Sequence, residues 1–186
     1  MNARMRTLTA GIIAAGIATS TAAAAPPPAQ VSLERAVIKQ MNVVRAKFNR
    51  PVLKPNSALI RAARLHSAYM AETGTFQHEG PNNAPFWHRI VRQGMSRNQR
   101  MAENLAMMPS CDAATAKVIV KMWMDSPPHR ANVLDPQLRS TGVGVALNPG
   151  CTRVMITADY ASQLRVTRAR AAAIARAKAR SRSRAR

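Results

Sequence analysis

The sequence has few cysteines and lacks a second long apolar run, and both absences restrict what the protein can be. Cys111 and Cys151 are the two cysteines among 186 residues, and neither has a Cys or His at the short spacing of a zinc-binding motif. After the N-terminal apolar stretch, no segment is long and apolar enough to span a membrane. These absences exclude a cysteine-rich zinc module and a protein with several membrane spans.

Acidic residues are also scarce. The chain carries 28 Lys and Arg residues against 8 Asp and Glu residues, for a formal net charge of +20. Residues 165–186 hold nine basic residues and no acidic one, while residues 31–164 hold 17 basic and 8 acidic residues, a net charge of +9. The region before the C-terminal segment is therefore basic by itself, which predicts salt-dependent attraction to anionic partners.

The N-terminal residues are typical of a secretory signal. Arg4 and Arg6 precede a short apolar stretch over residues 8–18, and small residues at 22–25 offer cleavage sites, which predicts a signal peptide over residues 1–25. Residues 26–31 begin with three prolines and predict a stiff linker. We therefore expect export to the periplasm or to the medium.

Export also predicts one disulfide bond. An oxidising compartment favours the pairing of Cys111 with Cys151. Such a bond closes a long loop and contributes roughly 3–4 kcal/mol to stability in the chain-entropy model. Two buried, unpaired thiols are the alternative that the sequence leaves open.

The basic segment 165–186 has no Phe, Trp or Tyr. Proteins that bind single-stranded nucleic acid stack its bases on aromatic side chains, so this absence disfavours nucleic acid as the partner. Anionic envelope components, namely lipopolysaccharide, acidic lipids or wall polymers, are the partners that the charge predicts. A solubilising extension without a specific partner is the alternative, and we expect the segment to be disordered or partly helical.

Apolar spacing predicts helices followed by a β-hairpin. Ser32 is the expected N-cap of the first helix, and Asp112 that of the fourth. Pro127 and Pro128 cannot continue the fourth helix, which predicts a loop after it. Helices first and an antiparallel hairpin last indicate an α+β fold. The predicted helices cover residues 32–48, 55–74, 86–93 and 112–125, and the extended segments cover 100–106, 141–147 and 153–160.

Four short motifs carry the polar residues of interest. They are Phe76-Gln77-His78-Glu79, Ala102-Glu103-Asn104-Leu105-Ala106, the run WMDSPPHRANVLDP over residues 123–136, and Thr141-Gly142-Val143-Gly144-Val145. Neutral imidazoles are the commonest metal ligands, and a carboxylate can orient them. The order of these motifs over residues 33–160 resembles the CAP superfamily of cysteine-rich secretory proteins, antigen 5 and pathogenesis-related proteins, and most closely its bacterial SCP-like extracellular branch.

The resemblance implies a three-layer α-β-α sandwich with a small antiparallel sheet, formed here by residues 32–164. It also implies a cleft that carries two histidines and two acidic residues. Motif position assigns His78, Glu103 and His129 to three of these places. Asp125 falls nearest to the fourth, where it is one carbon shorter than the Glu of the family pattern, and Glu79 is an alternative acid.

Three interpretations of this cleft are open. In the first, His78 and His129 bind a divalent metal, for which Zn²⁺ suits two imidazoles with open positions, and Glu103 orients them. In the second, Glu103 is the catalytic residue of a metal-dependent hydrolase, although the motifs supply neither a third protein ligand nor a Ser or Cys nucleophile. In the third, the same side chains hold the loops together by buried hydrogen bonds without a metal.

The other polar residues near these motifs are expected to serve the structure. His66 lies on the apolar face of the second helix and is predicted to be a hydrogen-bonded core residue. His88 is predicted to face solvent, and Asn132 to make backbone hydrogen bonds in the turn that follows His129.

The sequence therefore predicts an exported CAP-domain protein that acts as a non-enzymatic binding module in the envelope or outside the cell, as a monomer. A metal-dependent hydrolase is one alternative. A lipid- or sterol-binding protein is another, which the resemblance implies, although the sequence has no identifiable lipid box.

Overall fold

The computed structural model describes residues 27–164, together with Arg176 and Arg180. The signal peptide predicted for residues 1–25 and nearly all of the basic segment 165–186 lie outside the described residues. None of the helices in the described part combines the length and the apolar character that crossing a bilayer requires. In chain order the elements are α1 (Pro28–Lys47), β1 (Lys54–Pro55), α2 (Ser57–Thr73), α3 (Phe86–Arg92), β2 (Met101–Met108), α4 (Ala116–Asp125), α5 (Pro127–Leu134), β3 (Leu138–Leu147) and β4 (Val154–Ser162), with 3₁₀ turns at Pro81–Asn83 and Pro149–Cys151.

The strands form one sheet in the order β1-β3-β4-β2. β3 and β4 make the antiparallel hairpin that the sequence predicts. β2 pairs antiparallel with the other side of β4 and places Glu103 opposite Asp159. β1 pairs with β3 in parallel, with Lys54 opposite Ser140 and Pro55 opposite Thr141. The sheet is therefore mixed rather than purely antiparallel. The parallel pairing covers two residue pairs, which is too short to leave an alternating pattern in the sequence.

Helices cover both faces of this sheet, which confirms the α+β class and the three-layer arrangement. α1, α4 and α5 lie on one face, and α2 and α3 lie on the other. Side chains alternate between faces along a strand, so Val143 and Tyr160 join the core under α1 and α4, whereas Met155 packs with Met70 of α2. Each large apolar side chain buried in this way stabilises the fold by about 1.5–3 kcal/mol.

Two glycines allow α2 to pack directly on β3. A Cβ atom on Gly142 would lie 2.1 Å from the backbone nitrogen of Ile60, and one on Gly144 would lie 2.3 Å from the backbone carbon of Ala63. Backbone atoms of a helix cannot move aside for such a contact, so neither position accepts a side chain. The glycines of the 141–145 motif therefore set the distance between the sheet and α2.

Arg45 joins the end of α1 to two other elements. Its side chain is fully buried. Its Nε atom donates to the carbonyl of Pro51 at 2.6 Å, Nη1 to those of Val133 at 2.6 Å and Asp135 at 3.1 Å, and Nη2 to that of Leu138 at 3.1 Å. Hydrogen bonds from a charged group are stronger than neutral ones. They fix the end of α5 and the start of β3 against α1.

The predicted disulfide is present. Cys111 and Cys151 are bonded, with Cα atoms 5.7 Å apart and a sequence separation of 40. The bond ties the segment before α4 to the turn between β3 and β4. This position confirms the pairing expected for an exported chain.

Three predicted boundaries are wrong. α1 begins at Pro28, so residues 28–31 of the predicted linker are helical and Ser32 is not the N-cap; proline fits the first helical position because its missing N–H has no partner there. Thr115, not Asp112, caps α4, and its side chain accepts a hydrogen bond from the N–H of Val118. The predicted loop after α4 is helix α5.

Candidate functional site

The cleft predicted from the motifs lies at the outer edge of the sheet. Because β2 is an edge strand, both the connection between α2 and α3 and the start of α5 approach its free side. The volume of the cleft is about 420 Å³. Its walls are formed by His78, Phe86, Met101, Ala102, Glu103 and Asn132, and His129 is not among them.

His78 and Glu103 form a direct polar contact in this cleft. The side chain of His78, which follows α2, is 49% exposed, and that of Glu103 on β2 is 1% exposed. The Nδ1 atom of His78 lies 2.7 Å from Oε1 of Glu103. An ionised carboxylate only accepts hydrogen bonds, so Nδ1 carries the proton and Nε2 keeps its lone pair.

His129 lies in the first turn of α5 rather than in a loop. Pro127 and Pro128 begin this helix, where proline costs no backbone hydrogen bond, and Ser126 is its N-cap. The Nδ1 atom of His129 lies 2.9 Å from Oγ of Ser126. Nδ2 of Asn104 donates to the carbonyl of His129 at 3.0 Å. The ring and the backbone of His129 are therefore both held in place. As in His78, Nδ1 is the ring nitrogen that contacts a neighbouring side chain.

The described residues show no polar contact between Asp125 and the other three predicted members of the cleft. The carboxylate of Asp125 is 62% exposed and lies 2.6 Å from Nζ of Lys121, one turn earlier in α4. Ser126, the next residue, is the one that contacts His129. The alternative acid Glu79 is exposed.

Two residues of the 123–136 motif bond to the free edge of β2. Nε1 of Trp123 donates to the carbonyl of Leu105 at 2.8 Å. Nδ2 of Asn132 donates to the carbonyl of Glu103 at 3.1 Å, so the prediction that Asn132 bonds within its own turn is wrong in its partner. These contacts satisfy backbone groups that an edge strand leaves unpaired, and they hold α4 and α5 beside Glu103.

Arg89 of α3 is the site residue that the sequence did not reveal. Its Nη1 atom donates to the carbonyl of His78 at 3.0 Å. Its Nη2 atom forms an ion pair with Oε2 of Glu103 and lies 3.8 Å from Oδ1 of Asp159. The side chain is 13% exposed. Arg89 therefore connects α3, the segment that carries His78, and strands β2 and β4.

Asp159 is a buried carboxylate behind Arg89. Its side chain is fully buried, and neither oxygen accepts a hydrogen bond from any described residue. Burial raises the pKa of Asp159 to about 7, which the positive charges of Arg89 and His78 oppose. A carboxylate in such surroundings is costly to keep ionised.

The two remaining histidines differ in their surroundings. His66 is the core residue that the sequence predicts, because it is 2% exposed and its Nε2 atom lies 2.8 Å from the carbonyl oxygen of Gln77. Burial, together with the charge of Arg89, lowers the pKa of His66 to about 4. His88 is partly buried rather than fully facing solvent, and its ring lies edge-on to that of Trp87.

The surroundings of His78 and His129 favour the neutral form of both imidazoles. Burial lowers the pKa of His78, although the charge of Glu79 opposes this shift. Burial also lowers the pKa of His129, and the charge of His78 adds to this effect. Across residues 27–164, no group of three or more His, Cys, Asp and Glu side chains is arranged to hold a metal ion.

The chain matches a known family over most of its described length. The model of the CAP, or cysteine-rich secretory protein, family matches residues 38–160. The uncharacterized protein YkwD of Bacillus subtilis is 30% identical over 126 residues, which cover 68% of this chain and 47% of YkwD. The chain thus spans about half the length of this relative.

Two solved structures with a similar fold are those of bacterial proteins. An extracellular protein of Bacillus anthracis that contains an SCP domain superposes with a TM-score of 0.62 and 21% identity, over 72% of this chain and 41% of that one. An outer surface protein of Borrelia burgdorferi superposes with a TM-score of 0.60 and 15% identity, over 69% of this chain and 91% of that one. At these identities the likeness shows the fold.

Proposed function

This chain belongs to the CAP family of cysteine-rich secretory proteins, and on that premise we propose that it is an exported, non-enzymatic binding module whose cleft takes a divalent metal ion through His78 and His129. Zn²⁺ is the metal that suits two imidazoles best. The metal would supply positive charge and open coordination positions for an oxygen ligand.

One observation carries this proposal. Glu103 and Ser126 engage the Nδ1 atoms of His78 and His129, respectively. A histidine whose Nδ1–H donates to such a partner presents Nε2 as a metal ligand. In both rings Nε2 is then the nitrogen that a two-histidine site would use. A site with two protein ligands is expected to be weak.

The contacts of Glu103 favour binding over hydrolysis. A metal-dependent hydrolase needs a carboxylate that is free to take a proton from water. In this cleft Oε1 of Glu103 faces Nδ1 of His78, and Oε2 is paired with Nη2 of Arg89. Both oxygens are therefore committed to orienting side chains, which supports a binding role.

The proposed location is outside the cytoplasm. Two similar structures are of an extracellular protein and an outer surface protein, and the disulfide between Cys111 and Cys151 suits an oxidising compartment. The features of residues 1–25 that are typical of a signal peptide support the same conclusion. We place the protein in the periplasm or the medium.

Calorimetric titration of zinc into the chelator-treated protein tests the metal site. We expect saturable one-to-one binding that disappears in the double variant His78→Ala/His129→Ala. His88→Ala is the matched control, because it removes an imidazole outside the cleft and should leave binding unchanged. Binding that persists in the double variant, or an absence of saturable binding in the unmodified protein, would overturn the proposal.

A further inference from the structure

We propose that Arg89 is a positioning residue of the cleft, which fixes the ring of His78 and the carboxylate of Glu103 relative to each other, and that Asp159 holds Arg89 in place for this task. The inference deepens the proposed function and rests on it for the role of the cleft as a metal site. The contacts of Arg89 with His78 and Glu103 can be tested without any metal.

The contacts of Arg89 close a triangle. Arg89 bonds to the backbone carbonyl of His78 and pairs with Oε2 of Glu103, while Oε1 of Glu103 bonds to the ring of His78. The planar guanidinium donates in several fixed directions, so one arginine can satisfy two acceptors at a defined angle. With the backbone and the ring of His78 both held, the direction in which Nε2 points is set.

This restraint matters because His78 has little other support. It lies in the connection between α2 and α3, and its side chain is about half exposed, at 49%. An exposed ring on a connecting segment samples several orientations unless hydrogen bonds select one. Glu103 alone cannot select the orientation, because a long carboxylate side chain needs its own second contact, which Arg89 provides.

Asp159 accounts for the position of Arg89. It stands directly opposite Glu103 on β4, so both carboxylates lie on the same face of the sheet. Its oxygens are buried and accept no hydrogen bond from a described residue, and Nη2 of Arg89 is 3.8 Å from Oδ1. Stability alone would favour an apolar side chain here. A carboxylate at this point instead draws the guanidinium towards the sheet, beside Glu103.

A simpler alternative is that Arg89 only neutralises the two buried carboxylates. The variants Arg89→Met and Arg89→Met/Asp159→Asn separate the two roles. The single variant removes the positive charge and the contacts with His78 and Glu103. The double variant also removes one carboxylate, which returns the net charge of the cluster to its original value but does not restore the contacts.

The test is a two-bond ¹H–¹⁵N spectrum of the histidine rings in chelator-treated protein, at a pH above the pKa of His78 and also above the pKa of about 7 of Asp159, so that this carboxylate is ionised. The signals of His78 are identified by their loss in His78→Gln. We expect the proton of His78 to reside on Nδ1 in the unmodified protein and to be shared between both nitrogens in both Arg89 variants. Arg92→Met, in the same helix and exposed, should leave the ring unchanged.

An unchanged His78 tautomer in folded Arg89→Met, or its recovery in the double variant, would overturn the inference. If the single variant does not fold, the double variant decides the question. Zinc titration of the unmodified protein and of both variants gives a second readout. We expect both variants to bind zinc about tenfold more weakly than the unmodified protein. A failure of the unmodified protein to bind zinc would contradict the proposed function, whereas the tautomer result would still judge the role of Arg89.

Discussion

Two arginines hold elements together from opposite layers of this protein, and their partners differ in kind. Arg45 of α1 makes four hydrogen bonds, all to backbone carbonyl groups. Arg89 of α3 meets one backbone carbonyl and two side-chain carboxylates, those of Glu103 and Asp159. The first set of acceptors is neutral and fixed by the backbone. The second is charged and depends on side-chain rotamers.

The difference separates a cluster that holds the fold together from one for which we propose a role in the cleft. In the described residues, five buried side-chain atoms make no regular hydrogen bond, and all belong to Arg89, Glu103 and Asp159. Two of them, Nη2 of Arg89 and Oε2 of Glu103, meet instead in the ion pair. Incomplete satisfaction of buried polar groups is rare in proteins and calls for an explanation such as function. The cluster around Arg89 adjoins the histidine cleft, and that of Arg45 does not.

The largest expected effect is that of Arg45→Met. This change leaves the carbonyl acceptors of three segments without their donor, and each buried, unpaired group costs about 1–3 kcal/mol. We expect the free energy of unfolding in urea to fall by about 4 kcal/mol or more. The exposed neighbour Arg50→Met is the control and should change stability by less than about 0.5 kcal/mol. A loss below about 1 kcal/mol for Arg45→Met would mean that the hydrogen bonds of Arg45 contribute little to the stability of the fold.

Removal of the disulfide should come next in size. The double variant Cys111→Ala/Cys151→Ala releases a restraint across 40 residues of sequence, and we expect a loss of about 3 kcal/mol. The bond lies just before the start of β4 at Val154, whereas Glu103 pairs with Asp159 further along the strand. The His78 tautomer should therefore stay as it is. A changed tautomer would mean that a loss of stability alone perturbs the cleft. The tautomer would then no longer distinguish the cluster of Arg89 from that of Arg45.

Asp159→Asn should change how stability depends on pH. Burial raises the pKa of Asp159 to about 7, whereas the pKa of an aspartate in the unfolded chain is about 3.9. Between about pH 4 and about pH 7 the folded protein keeps a proton that the unfolded chain has released, so the free energy of unfolding falls as pH rises through this window. The asparagine side chain does not titrate, so it causes no fall in the free energy of unfolding across this window.

The measurement is urea unfolding of both proteins at several pH values. The stability of Asp159→Asn relative to the unmodified protein should increase by more than about 1 kcal/mol across the window. His66, whose depressed pKa of about 4 acts in the opposite direction, is present in both proteins and cancels in the difference. The carbonyl acceptors of Arg45 do not titrate, so Arg45→Met compared in the same way should give a flat difference. A flat difference for Asp159→Asn would contradict the shifted pKa.

The parts of the site that could be predicted are those that short motifs encode. His78, Glu103 and His129 were found because each lies in a motif of distinctive composition. Gly142 lies in another of these motifs, and only the structure shows why a side chain is excluded there. The class of fold followed from the order of helices and hairpin, since side-chain periodicity reports local structure well.

Arg89 could not be predicted because its role depends on contacts distant in sequence. It is one of 28 basic residues, and only the packing of α3 on the sheet brings it to Glu103 and Asp159. The one available signal was a charged residue directly before the apolar pair Ile90-Val91 in a short helix. The helical position of His129 was missed because prolines that end one helix can also begin the next.

The smallest expected effect concerns Ser126 and sharpens the question of the fourth member of the cleft. Ser126→Ala removes the partner of Nδ1 of His129, found at 2.9 Å, and frees the ring to rotate. A net hydrogen bond of this kind contributes about 0.5–1.5 kcal/mol, so we expect zinc affinity to fall about threefold to tenfold. Asp125→Ala is the matched control on the adjacent residue, whose carboxylate is engaged by Lys121 and mostly exposed. A larger loss for Asp125→Ala than for Ser126→Ala would return Asp125 to the place that its motif position predicts. The opposite order would mean that a hydroxyl group, one residue further along, supports the second histidine in this chain.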